Sequence, residues 1–210
     1  MNLNLQFTKR GNIISLLAFL VCVCACSTAK SAVEDKPDIK EVTVVAPYSR
    51  IYAAVRDEGL FYSDTLSMAS EAIITDGLLE CGLPVQRIIS VVGNANQEAL
   101  DADYEWLKEI RLNKPGYIPP AMHAFLSVHS TRYAVLVYSE GFIWAKAPAL
   151  YFLDEDYQRY DSRLYLCVVD TLTGKIVYYN RSEPESADPF AVVSVHKRIQ
   201  TLLKNFNVKK

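Results

Sequence analysis

The sequence has no apolar stretch long enough to cross a bilayer as a helix. Its apolar segment near the amino terminus, from Ile13 to Cys26, spans 14 residues, whereas a membrane-spanning helix needs about 20. An excess of basic charge is also missing, because 22 lysine and arginine side chains stand against 24 aspartate and glutamate side chains. Nucleic-acid binding depends on clustered basic charge, so this balance argues against a nucleic-acid partner.

Signatures of catalysis and of metal binding are missing as well. The chain contains no G-x-S-x-G, no H-E-x-x-H, no glycine-rich phosphate loop and no C-x-x-C. Its three histidines, His123, His129 and His196, do not have the spacing of metal ligands. The acidic run Asp154-Glu155-Asp156 lacks the alternating ligands and the glycine of a calcium loop. We therefore expect no metal, no cofactor and no enzymatic activity.

The amino terminus has the order of a targeting segment. Two basic residues precede a short apolar run that ends in small residues and cysteines, an order typical of a secretory signal. The sequence Val23-Cys24-Ala25-Cys26 resembles the lipobox of bacterial lipoproteins, in which an aliphatic, a variable and a small residue precede the lipidated cysteine. The resemblance implies cleavage before Cys26 and attachment of lipid to that residue. The alternative is a plain signal peptide without lipid.

Cleavage at this point divides the chain into three parts. Residues 1–25 are then the signal peptide, residues 26–39 a flexible polar tether, and residues 40–210 a single α/β domain. The mature chain keeps 20 basic and 24 acidic side chains, so acyl chains rather than a polybasic patch would hold it at the membrane. Because Ser27, rather than an acidic residue, follows the lipidated cysteine, the resemblance implies the outer membrane. Its periplasmic and external faces are both compatible.

Only Cys81 and Cys167 remain in the body of the domain. An oxidising compartment would permit a disulfide between them. Cys81 ends a predicted helix and Cys167 lies inside a predicted strand, however, so we favour two unpaired thiols that behave as small apolar side chains.

Hydrophobic periodicity predicts a mixed β-sheet with helices packed on it and a β-hairpin near the carboxyl end. Several elements are well marked in the sequence, whereas the stretch Ile51 to Tyr62 is ambiguous and is predicted to be irregular or a short extension. The predicted strands are Glu41–Pro47, Val85–Val92, Arg132–Tyr138 with an extension past a kink at Gly141 to Lys146, Arg163–Asp170 and Lys175–Asn180. The predicted helices run from Ser63 or Asp64 to Gly82, from Asn94 to about Arg111, from Ala121 to His129, and from Ser186 or Asp188 to Phe206.

This order of elements resembles a domain family of envelope lipoproteins. The family includes the lipoprotein of the curli secretion channel, the outer-membrane activators of penicillin-binding proteins and the amino-terminal domain of the Tol-system propeller protein. The apolar strand Tyr133–Tyr138 followed by Gly141 is similar to the family's central strand. Arg163–Asp170 and Thr173–Val177 resemble its hairpin with a D-x-x-T-G turn. The resemblance covers roughly residues 41–206 and implies binding or scaffolding of an envelope partner, or self-association.

The chain departs from the channel members of that family. A pore needs additional long hairpins of alternating polarity, and the sequence has no spare segments of that kind. A secretion channel is therefore not expected.

Aromatic residues are dense between positions 138 and 160. Some of them neighbour proline and charged residues, so a fully buried position for all of them is not expected, and aromatic side chains are enriched at binding hot spots. The alternative is that most of them cover the sheet edge and close the core. The candidate partner-binding residues, in a segment that begins at the aromatic Tyr138, are Phe142, Trp144, Tyr151, Phe152, Tyr157 and Tyr160.

Three functional hypotheses follow. The first is a lipid-anchored binding or scaffolding module that uses this aromatic segment. The second is a hydrolase of cell-wall or other glycans, which needs a pair of carboxylates in a cleft; Asp154, Glu155 and Asp161 are its candidates. The third is a purely structural spacer.

Overall fold

The computed structural model describes residues 39–55, 59–112, 115–144, 159–183 and 188–206, with the backbone alone for Val55, Trp144 and Arg159. The proposed lipidation site Cys26 and the candidate residues Tyr151, Phe152 and Tyr157 lie outside these ranges, as do Asp154 and Glu155. Within them, none of the helices combines the length and the apolar character that a bilayer crossing demands.

These ranges contain one sheet of seven strands with four α-helices packed on it. The predicted fold class, a single α/β domain with a mixed sheet and a late hairpin, is confirmed. The strands are β1 (Val42–Val45), β2 (Tyr48–Val55), β3 (Gly59–Tyr62), β4 (Val85–Ile89), β5 (Tyr133–Trp144), β6 (Arg159–Asp170) and β7 (Lys175–Arg181). The helices are α1 (Asp64–Glu80), α2 (Gln97–Glu105), which continues into a 3₁₀ turn (Trp106–Glu109), α3 (Pro120–His129) and α4 (Val192–Leu203).

The long strand β5 lies at the centre of the sheet. One side of it pairs antiparallel with β6, which in turn pairs with β7. Its other side pairs in parallel with β1 and then with β2, which follow one another along the same line. Outside that line, β4 runs parallel to β1 and β3 runs antiparallel to β2. The sheet is therefore mixed. One of its edges is formed by β4 beside β1 and, farther along the same line, by β3 beside β2.

Successive side chains of a strand point to opposite faces, and both faces of this sheet are covered near its middle. Leu136 and Tyr138 of β5 pack under α2, the 3₁₀ turn and α3. Val135 and Val137 point the other way and pack with residues of α1 and α4. The result is a three-layer arrangement with two apolar cores, one on each side of the sheet.

Helix α1 supplies hydrogen-bond partners that a neighbouring strand would otherwise provide. Along this sheet edge, β4 pairs with β1 and β3 pairs with the second half of β2. Between them, the first half of β2 has no described strand beside it. There the backbone N–H of Ser49 donates to Glu71 Oε1 at 2.9 Å, and that of Ile51 donates to Ser67 Oγ at 3.0 Å. Ser49 Oγ also donates to Ser70 Oγ at 3.3 Å. The two serines of α1 are buried, where Ser67 accepts from the open strand backbone and Ser70 accepts from the Ser49 hydroxyl.

Several predicted boundaries are confirmed. Ser63 caps α1 and its Oγ accepts a hydrogen bond from the N–H of Leu66, while Gly82 follows the helix with a φ of +79°. The turn of the late hairpin also has the predicted geometry, because Asp170 Oδ1 accepts from the N–H of Leu172 at 3.0 Å. Gly174 in that turn has a φ of +71°.

Other predicted elements were wrong in extent. The stretch Ile51 to Tyr62, predicted to be irregular or a short extension, forms most of β2 and all of β3. Strand β5 continues through Gly141 without the predicted kink, since its pairing with β6 is unbroken there. The glycine is needed for space instead, because a Cβ at this position would lie 2.8 Å from Ile51 Cδ1. Strand β6 begins at Arg159, four residues before the predicted start.

Two helix ends also differ from the prediction. The second helix begins at Gln97 after Asn96, which makes no side-chain cap bond, and the α-helical part ends at Glu105 rather than near position 111. The last helix begins after Ala191; Asp188 instead accepts from the N–H of Phe190 at 2.8 Å. Val193, in the first turn of this helix, is 83% exposed. Because the helix starts later, its buried face begins at Val195.

Cys81 and Cys167 are both free thiols, and Cys167 is buried in β6. The prediction of two unpaired cysteines is confirmed. Burial raises the pKa of each thiol and so disfavours the reactive thiolate form.

Candidate binding surface

Three rows of side chains lie one after another on one face of the sheet, from the core beneath the helices to the region beyond the end of α2. They are set by the register of β2, β5 and β6, in which directly opposed residues share a face. The buried row consists of Tyr48, Tyr138 and Tyr165; the charged row consists of Arg50, Glu140 and Arg163; and the aromatic row consists of Tyr52, Phe142 and, on β3, Tyr62.

The buried row closes the core. The ring centroids of Tyr48 and Tyr138 are 6.1 Å apart, and those of Tyr138 and Tyr165 are 5.7 Å apart. Burial, reinforced by the nearby Asp101 carboxylate, raises the pKa of Tyr48 to about 12. Burial likewise raises the pKa of Tyr138, whose hydroxyl lacks a hydrogen-bond partner within the described residues. The predicted aromatic segment therefore starts inside the core.

The charged row lies where α2 ends, so the helices on this face of the sheet stop at that row. Arg50 forms an ion pair with Glu105, the last residue of α2. Lys108 of the 3₁₀ turn lies 3.3 Å from Glu140 and 3.9 Å from Glu105. Its ammonium group also lies 5.4 Å from the ring centroid of Tyr138. These cations and carboxylates are thus neutralised largely by one another.

The aromatic row lies past this boundary. The rings of Tyr52 and Phe142 are stacked with centroids 5.4 Å apart and an interplanar angle of 15°. The rings of Tyr52 and Tyr62 meet edge to face at 6.0 Å. The guanidinium of Arg50 lies 5.6 Å from the centroids of both tyrosines, a cation–π geometry. The row is a preordered set of rings, since each ring is held by its neighbours.

Strand β3 extends the aromatic row to the edge of the sheet. All four of its residues are exposed. Leu60, Phe61 and Tyr62 expose 54%, 44% and 40% of their surface. Since neighbouring side chains of a strand alternate, Leu60 and Tyr62 lie on the face of the aromatic row, and Phe61 lies on the opposite face. Scattered exposed apolar side chains are ordinary, whereas larger contiguous apolar patches are common at interaction sites.

A small cavity of about 200 Å³ adjoins the aromatic row. Its walls are formed by Glu140, Phe142, Asp161, Ser162 and Arg163. It is smaller than the roughly 300–1,000 Å³ of a typical ligand pocket. A second cavity, of about 410 Å³, lies between the end of β7 and α4, with Arg181, Lys197 and Arg198 among its walls.

The structure brings only part of the predicted site together. Phe142 is half-buried in the aromatic row. Tyr160 lies on the other face of the sheet, because it is opposed to Ile143 rather than to Phe142. Trp144 is the last residue of β5, and only its backbone is described. Three further candidates lie outside the described residues.

Tyr52 and Tyr62 were missed in the sequence analysis. Both lie in the stretch predicted to be irregular or a short extension, although Tyr48, Arg50 and Tyr52 alternate with smaller residues as a strand requires. The pattern is short, and a glycine and three charged or polar residues interrupt it before β3. The pairing of Tyr52 with Tyr62 became evident only from the register.

The histidines have structural contacts. The His123 ring nitrogen Nε2 lies 3.1 Å from the carbonyl oxygen of Thr171, and His196 Nδ1 lies 2.9 Å from Glu80 Oε2. In the part of the chain that the structure describes, no three histidine, cysteine or acidic side chains are grouped so that they could hold a metal ion.

No protein-family model matches the chain, and no curated protein sequence matches it. Solved structures that resemble it include the PelC dodecamer from Paraburkholderia phytofirmans, at 12% identity, with a TM-score of 0.39 over 84% of this chain and 96% of that one. A putative neuraminyllactose-binding hemagglutinin homolog from Helicobacter pylori has 11% identity and a TM-score of 0.42, over 86% of this chain and 89% of that one. The lipoprotein GNA1162 from Neisseria meningitidis has 11% identity and a TM-score of 0.35, over 80% of this chain and 99% of that one. At these scores each likeness is distant.

Proposed function

We propose that the chain is a lipid-anchored envelope protein that binds a partner protein through the aromatic row and β3, without catalysing a reaction. The observation that carries this proposal is an end of the sheet that none of the described helices covers. Helices cover both faces near the middle, yet the rings of Tyr52, Phe142 and Tyr62 and the side chain of Leu60 extend beyond the helical layer.

The energetics favour a binding role for this surface. Complete removal of a large apolar side chain from water is worth about 1.5–3 kcal/mol, and Leu60, Phe61 and Tyr62 still expose about half of theirs. The rings are held in place before any partner arrives, so little conformational entropy is lost on binding. A spacer has no need of preordered, exposed rings at one end of its sheet.

The anchor in this proposal is the acylated Cys26, followed by the tether to residue 39. About a dozen flexible residues span roughly 20 Å on average, so the domain can reach a partner that is not itself at the bilayer surface. Intact mass of the protein from membrane extracts tests this part. A mass that begins at Cys26 and includes acyl groups, and that is lost in Cys26→Ala, is expected. An unmodified protein in the soluble fraction would refute it.

The binding surface is tested by cross-linking in cells that make the full-length protein. Tyr52→Ala and Phe142→Ala are compared with Val128→Ala and Val193→Ala, whose side chains are 75% and 83% exposed but lie on helices. Cross-linked partners should fall about tenfold or more in the first pair, as for hot-spot residues, and remain unchanged in the second. Circular dichroism confirms folding of each variant. Equal recovery in all four variants would exclude this surface.

A glycan hydrolase is the second candidate, and one observation favours it. The carboxylates of Glu140 and Asp161 both line the small cavity beside Phe142, and glycoside hydrolysis uses two carboxylates. Turnover of labelled cell-wall fragments that is lost in both Glu140→Gln and Asp161→Asn would support this activity. The absence of turnover at high protein concentration would leave binding as the function.

A further inference from the structure

The outer edge of β3 carries backbone groups that no part of the described chain satisfies. The N–H of Ser63 donates inward to the carbonyl of Ile51 at 3.0 Å. Because the N–H and C=O groups of a strand point alternately to its two sides, those of Phe61 and Gly59 also face β2. Those of Leu60 and Tyr62 therefore face away from the sheet, at the end of the strand order. Two donors and two acceptors point outward.

This edge differs from the other edges of the same sheet. On β4, the exposed Gln86 and Arg87 make the edge polar. The edge of β7 is bridged, since the N–H of Ile118 donates to the carbonyl of Gly174 and that of Ile176 donates to the carbonyl of Gly116. Natural proteins usually protect exposed edges with charge, proline or a covering segment. Strand β3 has no proline and no charged residue, and its side chains are apolar on both faces.

We propose that β3 receives an extended segment of the partner protein as an additional strand of the sheet. This inference rests on the proposed function, because it specifies how the same surface holds its partner. Strand addition uses backbone hydrogen bonds for affinity and alternate side chains for specificity. Here the added strand bonds to the outward groups of Leu60 and Tyr62, and alternate side chains of that strand lie beside the aromatic row.

The charges near this surface define the chemistry of the segment. Arg50, whose guanidinium lies 5.6 Å from the Tyr62 ring centroid, is paired with Glu105, and Lys108 is paired with Glu140, so these charges are matched within the chain. A charged ligand would have to break such pairs or remain unmatched beside apolar rings. The occupant is therefore an uncharged segment with apolar or β-branched residues at alternate positions.

Amide hydrogen exchange of the full-length protein in detergent tests the inference. The probe is a short, terminally blocked peptide of alternating valine and threonine, and the matched control is the same peptide with an N-methyl group on every residue, so that neither of its edges keeps a backbone donor. The first peptide should slow exchange of the Leu60 and Tyr62 amides about tenfold or more, as new hydrogen bonds do. The N-methylated peptide should not, because it has lost the donors and fits poorly beside an edge.

Protein variants provide the second comparison. Leu60→Pro removes one outward N–H and blocks an edge strand, whereas Leu60→Val keeps the backbone donor and an apolar side chain. Protection of the Tyr62 amide by the peptide should disappear in the first variant and persist in the second. Equal effects of the two peptides, or retained protection in a folded Leu60→Pro protein, would overturn strand addition. If Leu60→Pro fails to fold, the comparison of the two peptides decides.

The outcomes separate this inference from the proposed function. Cross-linked partners that are lost in Tyr52→Ala but retained in Leu60→Pro would preserve the binding surface and refute strand addition. Partners that are retained in both variants would refute the surface itself. Protection of Leu60 and Tyr62 that rises with protein concentration in the absence of peptide would refute a partner segment in favour of self-association.

Discussion

The hydrogen bond between Glu71 and the backbone of Ser49 should be a measurable support of the sheet. Glu71 Oε1 accepts from this N–H at 2.9 Å, and Ser49 is fully buried. Glu71→Ala leaves the N–H without an acceptor where water has no access. Leaving such a group unsatisfied costs about 1–3 kcal/mol, and a loss of about 2 kcal/mol lowers the ratio of folded to unfolded protein roughly thirtyfold.

Glu71→Gln is the matched control, because an amide oxygen can accept the same hydrogen bond without a charge. Burial, together with the nearby Asp101 carboxylate, raises the pKa of Glu71, although the bond from Ser49 opposes that shift. The charged form is thus disfavoured in the folded protein. The free energy of unfolding of Glu71→Gln at neutral pH should equal or exceed that of the natural protein, and it should clearly exceed that of Glu71→Ala.

The pH dependence gives an independent check. A carboxyl with a raised pKa binds its proton more tightly when folded than when unfolded. The contribution of Glu71 to stability is therefore greatest below the unfolded pKa, near 4.5, and falls as pH rises through that value to the raised folded pKa. Urea unfolding across this window should show the natural protein losing stability relative to Glu71→Gln. A relative gain, or equal stability of the Ala and Gln variants, would refute this reasoning.

Three further predictions concern packing, conformation and thiol reactivity. Gly141→Ala should cost about 1 kcal/mol of unfolding free energy by overpacking, because the new Cβ would meet Ile51 Cδ1 at 2.8 Å. Ile51→Val removes that atom. Failure of the double variant to recover part of the loss would therefore contradict the contact. Gly82→Ala should lower the free energy of unfolding by about 1–2 kcal/mol in the same urea assay. The cause is its φ of +79° alone, since nothing lies within 4 Å of a Cβ built at this position. An unchanged urea midpoint would refute the prediction. The third prediction uses a thiol reagent at pH 8, with the modified peptides mapped by mass spectrometry. Cys81 should react before the fully buried Cys167. Equal rates of modification of the two cysteines would contradict this order and mean that β6 opens readily.

Elements with a strong local signal could be predicted from the sequence, because their residues determine backbone geometry directly. Ser63 and Gly82 bracket α1, since a hydroxyl accepts from an orphan N–H and a glycine adopts the left-handed region without a steric cost. Asp170 and Gly174 define the late hairpin in the same way. These signals act over a few residues and do not depend on what the rest of the chain does.

The interior of α1 shows where local patterns fail. Ser67 and Ser70 are buried while Ala69 is exposed, so apolarity alone selects the wrong face. The serines are inside because, about 20 residues earlier at a gap in the sheet edge, Ile51 presents an open backbone N–H to Ser67 and Ser49 presents its hydroxyl to Ser70. The gap exists only because β3 and β4 lie at different positions along the sheet edge. The residue pattern of the helix itself does not indicate it.

The candidate surface depends on the same kind of long-range placement. The density of aromatic residues after position 138 favours a binding surface that involves β5, and this stays a prediction. Alternation along the strands, however, places Phe142 and Tyr160 on opposite faces, and register places Phe142 beside Tyr52, 90 positions earlier in the chain. Ring stacking between strands requires both the same face and the same level, and those two conditions are set by strand order and register. A count of aromatic residues in one segment contains neither, which is why Tyr52 and Tyr62 emerged only from the fold.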